Sequence, residues 1–214
     1  MTLHRKSKIN DLINFDKDFK DNIIIGTDEA GRGPAAGPVM AAAVCFTDFS
    51  PEILKVLAFL NDSKKLTPKL RSELSIEIKK NCIWAISSCT VQEIEKINIL
   101  QASLLSMKKA CNEVLNQVQS SLEPNILVDG NKLIPKYEIN QQFVIKGDGK
   151  SASIAAASVL AKVERDEMMI KLAEKFPHYA WEKNKGYLTA KHIEGIQNHG
   201  INQWHRKSFL KNYI

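Results

Sequence analysis

Short apolar runs alternate with segments of helical spacing along this chain. Strand-like runs fall at residues 23–28, 39–46, 83–90, 126–129 and 143–146. Each is brief and rich in Ile, Val, Ala or Phe, as expected of strands buried in a sheet. Helical spacing appears at residues 68–80, 91–96, 100–119, 151–175 and 189–197. Thr67-Pro68 is a helix start, with threonine capping and proline in the first turn. Leu100, Leu104, Leu105, Ala110, Cys111, Val114, Leu115 and Val118 fall on one face of the third helix, a core-packing pattern. Strands mixed with crossing helices predict an α/β domain whose sheet is largely covered. Breaks at Phe176-Pro177 and Asn184-Lys185-Gly186 set off a short helical extension after about residue 175.

Composition narrows this picture. The chain has 214 residues, 44% of them hydrophobic, enough for a sizeable core. The apolar stretches at 38–46 and 152–163 fall short of the roughly 20 residues a membrane-spanning helix needs. Residues 1–22 are charged throughout and lack the apolar centre of a signal peptide. A cytoplasmic protein with no membrane partner is expected. Cys45, Cys82, Cys89 and Cys111 form no Cys-x-x-Cys pair, and buried reduced thiols are expected. The net charge of +6 is uneven: residues 1–144 carry +1 and residues 145–214 carry +5. A basic C-terminal third points to a polyanionic partner, although a lysine-rich surface alone gives the same sign.

The acidic residues carry the chemistry. Asp28, Glu29, Asp129 and Asp148 each stand at or just beyond the end of an apolar run. In α/β folds, ligands gather outside the carboxyl ends of strands. Clustered carboxylates repel unless a cation neutralises them, and an all-oxygen set suits Mg²⁺ or Mn²⁺. Two such ions can activate a water and stabilise the leaving oxygen of a phosphodiester. Neighbouring strand residues point to opposite faces, so Asp28 and Glu29 share a site only where the strand ends. Asp129-Gly130 also reads as a turn, and Asp148 as a cap for the helix near Ser151. Asp166 reads as an exposed ion-pair residue. Gly31-Arg32-Gly33 allows backbone N–H groups to approach a nucleic-acid backbone closely.

These residues resemble the ribonuclease HII family. Gly26-Thr27-Asp28-Glu29-Ala30-Gly31-Arg32-Gly33-Pro34 matches its opening motif, and Asp62-Ser63-Lys64-Lys65-Leu66 its phosphate-contacting segment. Val128-Asp129-Gly130, Lys146-Gly147-Asp148, the helix at 153–163, Lys185-Gly186-Tyr187 and His205-Arg206-Lys207-Ser208-Phe209 follow in order. The resemblance implies a ribonuclease H-like fold: a mixed five-stranded sheet flanked by helices, with a small helical C-terminal appendage. It divides the chain into an N-terminal extension of unassigned function (1–22), a catalytic core (23–175) and a basic appendage (176–214). It implies a monomeric endonuclease using Mn²⁺ or Mg²⁺. Its substrates would be RNA–DNA hybrids and DNA with embedded ribonucleotides, cut 5′ of the ribonucleotide to leave 3′-OH and 5′-phosphate. Asp28, Glu29, Asp129 and Asp148 become the catalytic metal ligands. Gly31, Arg32 and Gly33 read the ribose 2′-OH, Ser63 and Lys64 contact phosphate, and Tyr187 stacks on the adjoining sugar. His205 and Arg206 close the appendage against the core, with no catalytic role. The alternatives are a ribonuclease HIII-type enzyme and another two-metal nuclease on the same fold.

Overall fold

The computed structural model describes residues 3–19, 22–50, 53, 58–60 and 66–213. Ser63 and Lys64 lie outside the described residues. The elements are α1 (Leu3–Lys17), β1 (Asn22–Ala30), β2 (Val39–Cys45), α2 (Pro68–Asn81), β3 (Ile83–Cys89), α3 (Val91–Ile97), α4 (Ile99–Gln117), β4 (Glu123–Asp129), β5 (Asn140–Val144), α5 (Ala152–Lys175), α6 (Trp181–Asn184) and α7 (Ala190–His199). The five strands form one mixed sheet in the order β3-β2-β1-β4-β5. Its β1–β2 and β2–β3 pairs are antiparallel, and its β1–β4 and β4–β5 pairs are parallel. This is the mixed five-stranded ribonuclease H-type architecture expected from the sequence.

Both faces of the sheet are covered. β2, Val-Met-Ala-Ala-Ala-Val-Cys, is buried along its whole length. Ala41 and Ala43 join a core with Leu104, Met107, Ala110 and Val114 of α4. Ala42 and Val44 face the other way, into a core with α5. Helix α5 is built from alanines on this side (Ala152, Ala155, Ala156, Ala157, Ala161), and small side chains bring its backbone close to the sheet. Any Cβ at Gly26 would collide with the backbone of Ser153 and Ile154, so the strand needs glycine there.

Helix ends follow the expected chemistry. Thr67 caps α2 by accepting from the Leu70 N–H at 3.3 Å. Thr90 and Glu93 form a reciprocal capping box on α3. Two boundary differences from the sequence reading bear on the acidic residues. β5 stops at Val144, because Lys146 takes a left-handed conformation that turns the chain into a short 3₁₀ segment at Gly147–Gly149. β1 runs on to Ala30 rather than ending at Asp28, because β2 pairs with it through Ala30–Met40.

Residues 3–17, which carried no sequence assignment, form a helix. Its Ile9, Leu12 and Ile13 join the α5-side core. Past α5, Tyr179, Trp181, Ile196 and Leu210 pack with Ala35, Ala36, Met169 and Leu172. The C-terminal segment therefore shares its core with the loop after β1, beside the acidic residues. Among the described residues no helix is long and apolar enough to cross a membrane. The four cysteines are free. Burial pushes the thiols of Cys45, Cys82 and Cys111 up to about 12, so none is a thiolate at neutral pH.

Candidate active site

Parallel pairing of β1 with β4 runs to Thr27–Val128, and the next residue on each strand is an aspartate, Asp28 and Asp129. Asp129 pairs with Val144 of β5, just before the turn bearing Asp148. Three parallel neighbours thus deliver three carboxylates to one end of the sheet. Asp129 is braced by the Gly147 N–H, which donates to its Oδ1 at 2.7 Å. Gly130, at φ +101°, turns the chain away immediately afterwards.

Asp28 is buried, and its one described donor is the Glu29 N–H, 2.7 Å from Oδ1. Burial, reinforced by the charges of Glu29, Asp129 and Asp148, holds its carboxyl well above the usual carboxylate range. Glu29 is also raised by burial, opposed by Arg32, whose Nη1 lies 3.3 Å from Oε1, and by Ser103 of α4. Because β1 continues past them, Asp28 and Glu29 point to opposite faces of the sheet. Asp28 shares the face that meets α5, and Glu29 the face that meets α4. Both still line one cleft of about 780 Å³, with Gly31, Arg32, Gly33, Arg71, Ser158, Lys162, Arg165 and Tyr187. Among the described residues, no three His, Cys, Asp or Glu side chains are already gathered tightly enough to hold an ion. The carboxylates are coupled by charge rather than closed around a centre. The donor set still fits a hard divalent cation: it is all carboxylate, and its most buried member lacks enough internal positive charge to ionise readily.

Two readings of single acids change. Asp148 is not the cap of α5. Ser151 fills that place, accepting from the Ile154 N–H at 3.2 Å. Asp166 is not exposed. It is largely covered, 2.6 Å from Lys162 Nζ and 3.9 Å from Arg71 Nη2. That group adds Arg71 and Lys162 to the cleft, and neither stood out in the sequence.

Tyr187 is 51% exposed and lies against the Gly31–Gly33 loop. A Cβ at Gly33 would stand 3.2 Å from its Cε1. Its carbonyl is held by His192 Nδ1 at 2.9 Å. The Trp181 indole N–H donates to His192 Nε2 at 3.0 Å, which fixes the proton on Nδ1. His205 Nε2 lies 3.2 Å from His192 Nε2, and burial lowers His205 to about 4. Both imidazoles are therefore neutral scaffold groups behind Tyr187.

A model of the family Ribonuclease HII matches residues 25–212. The chain belongs to the ribonuclease HII family. It is 47% identical to the ribonuclease HII of Fusobacterium nucleatum subsp. nucleatum, over 96% of this chain and 93% of that protein. Among solved structures it resembles the ribonuclease HII of Archaeoglobus fulgidus, solved in complex with PCNA. That match has 26% identity and a TM-score of 0.70, covering 88% of this chain and 94% of that one. It also resembles the ribonuclease H2 of Pyrococcus horikoshii OT3, with 25% identity and a TM-score of 0.69, covering 89% and 96%. As a ribonuclease HII family member the chain is a hydrolase, an endonuclease of the ribonuclease H type. Asp28 and Glu29 of β1 line one cleft with the Gly31–Gly33 loop.

Proposed function

We propose that this enzyme hydrolyses the phosphodiester on the 5′ side of a ribonucleotide, in RNA–DNA hybrids and at single ribonucleotides embedded in duplex DNA. The products are a 3′-hydroxyl and a 5′-phosphate, which suits ribonucleotide excision and RNA primer removal. One observation carries this reading: Asp28 and Glu29 share a single cleft with Gly31–Gly33 and Tyr187. A group short of positive charge and a backbone able to approach a sugar thus face the same substrate.

Asp28, Glu29, Asp129 and Asp148 would hold the divalent cations, Mg²⁺ or Mn²⁺. When bound, these supply Lewis acidity and a water of lowered pKa. Asp129 is pre-oriented by the Gly147 N–H, which leaves its second oxygen for a ligand. Arg32 balances Glu29 while remaining half exposed, within reach of phosphate. The loop N–H groups read the 2′-OH, the sugar group that separates RNA from DNA. The Tyr187 ring is a platform for the adjoining sugar. His192 and His205 are occupied with Tyr187, Trp181 and Asn202. The 2′-OH is accordingly recognised rather than activated as a nucleophile.

The test is a gel assay on three duplexes: one with a single ribonucleotide, a continuous hybrid, and all-DNA, each in Mg²⁺, Mn²⁺ or chelator. The first two should be cut only with metal, and all-DNA should stay intact. Comparable cutting of all-DNA would overturn the reading. Tyr187→Ala should lower cleavage of the single-ribonucleotide duplex by roughly tenfold, the worth of one stacking contact, and of the continuous hybrid by less. Equal losses would argue against junction sensing.

A further inference from the structure

Two arginines lie buried under the loop that follows β1, and neither is in an ion pair among the described residues. Arg206 is fully buried, and its guanidinium donates to four carbonyls. Nη2 reaches Gly31 O at 2.7 Å, Nη1 reaches Pro34 O at 2.8 Å and Arg32 O at 3.2 Å, and Nε reaches Gly37 O at 2.9 Å. Arg165 of α5, equally buried, takes the rest of the turn. Its Nε, Nη2 and Nη1 donate to Pro38 O at 3.2 Å, Ala36 O at 3.0 Å and Lys185 O at 3.0 Å. Gly31 lies directly over Arg165: at φ +100°, any Cβ there would collide with Arg165 Nε. The backbone around Arg206 is tied to the same loop through Arg206 N–H to Ala35 O at 2.8 Å.

The planarity of the peptide bond turns these contacts into a statement about the substrate side. In a trans peptide the carbonyl of one residue and the N–H of the next point in opposite directions. The Gly31 carbonyl shares its plane with the Arg32 N–H, and the Arg32 carbonyl with the Gly33 N–H. Drawing both carbonyls inward therefore turns both N–H groups outward. Among the described residues those two N–H groups meet no acceptor. The next free donor position is closed, because the Ala35 N–H is bound to Gly186 O at 2.9 Å.

We propose that Arg206 is a positioning residue for ribonucleotide recognition, holding the Gly31 and Arg32 carbonyls inward so that the Arg32 and Gly33 N–H groups face the cleft, with Arg165 bracing the turn behind them. This rests on the reading of the loop as the ribose reader and adds what sets its geometry. The planar fork matters as well as the charge. A lysine keeps the charge, but its single ammonium cannot span carbonyls on four residues.

The experiment uses the full chain. It measures kcat/KM on a duplex with one ribonucleotide, and Kd for the all-DNA duplex of the same sequence. Wild type must cut the first and only bind the second. If wild type shows no preference, the proposed function fails, whatever the variants do. Arg206→Lys should lose about tenfold or more in kcat/KM, equivalent to one or two hydrogen bonds to the sugar, with all-DNA affinity within about twofold. Unchanged kcat/KM, or parallel losses on both duplexes, would overturn the proposal, since a purely structural role lowers both together. Arg165→Lys, read the same way, should lose less because it touches neither the Gly31 nor the Arg32 carbonyl. If Arg206→Lys does not fold, the Arg165 variant decides by whether its loss is confined to the ribonucleotide duplex.

Discussion

Asp16 and Asp28 are both buried aspartates near α5, and burial raises the carboxyl of each. Their surroundings differ. Asp16, on α1, reaches the first turn of α5 and accepts from the Ser153 N–H at 2.8 Å and its hydroxyl at 2.7 Å. That is the end of a helix where a negative charge is favoured. Asp28 has one backbone donor and three acidic neighbours. Equal burial therefore has two outcomes. The first carboxylate is relieved in part from inside the protein, through Oδ2 alone, and serves to fasten a helix. The second is left to a cation from outside, and that deficit is what makes it useful.

Asp28→Asn should give the largest separation between the two sites. Cleavage should fall on the order of a thousandfold or more, because a ligand of the metal ions is lost. In chelator near neutral pH the same variant should melt a few degrees higher than wild type, because the cost of burying a carboxyl among like charges has been removed. Hybrid binding should persist. Near-normal turnover would remove Asp28 from the ligand set. A lower melting temperature in chelator would show that Asp28 is relieved internally, as Asp16 is, and the contrast would collapse.

The candidate acidic residues stood out in the sequence because Asp28-Glu29 lies beside Gly31-Arg32-Gly33, and because Asp129 and Asp148 follow apolar runs. What escaped depends on partners far away in the chain. The end of β1 is set by pairing of Ala30 with Met40, so the separation of Asp28 and Glu29 across the sheet has no local signal. The resemblance set Arg206 against the core, but no local signal says that it meets four carbonyls of a loop more than 160 residues earlier. The assignment of Ser151 as the cap of α5 frees Asp148 from that role, a choice between two candidates three residues apart. Helix α1 did leave a trace. Ile9, Leu12, Ile13 and Asp16 fall at i, i+3, i+4 and i+7, but Asp11 between them and the charges on either side (Lys6, Lys8, Lys17, Asp18) masked the stripe.

Asp16→Ala should act in the opposite sense to Asp28→Asn. It leaves the Ser153 N–H and hydroxyl unpaired and should cost about 1–2 kcal/mol, or a few degrees of melting temperature. Asp16→Asn should cost less, because an amide oxygen still accepts. Cleavage by either variant should stay within about twofold of wild type at temperatures where the fold is intact. A large loss of activity without a loss of stability would place α1 in the catalytic machinery rather than in the scaffold.

The smallest effect is also the most discriminating, because it reads both aspartates in one protein. A carboxyl whose folded-state pKa is raised favours the fold while protonated. As pH climbs from the ordinary carboxylate range through the raised values, that contribution is lost, since the unfolded chain ionises freely and the folded one does not. Asp16, Asp28 and Glu29 are all raised, so metal-free protein should lose stability with rising pH across this window. A divalent cation favours the ionised forms of Asp28 and Glu29 and should cancel their share, leaving that of Asp16. The gap between melting curves in Mn²⁺ and in chelator should therefore widen as pH rises. In Asp28→Asn the gap should shrink, whereas in Asp16→Asn it should persist while the residual slope in Mn²⁺ flattens. A gap independent of pH would mean that the cation does not bind at the expense of protons on Asp28, and the two buried aspartates would no longer be distinguished by where their relief comes from.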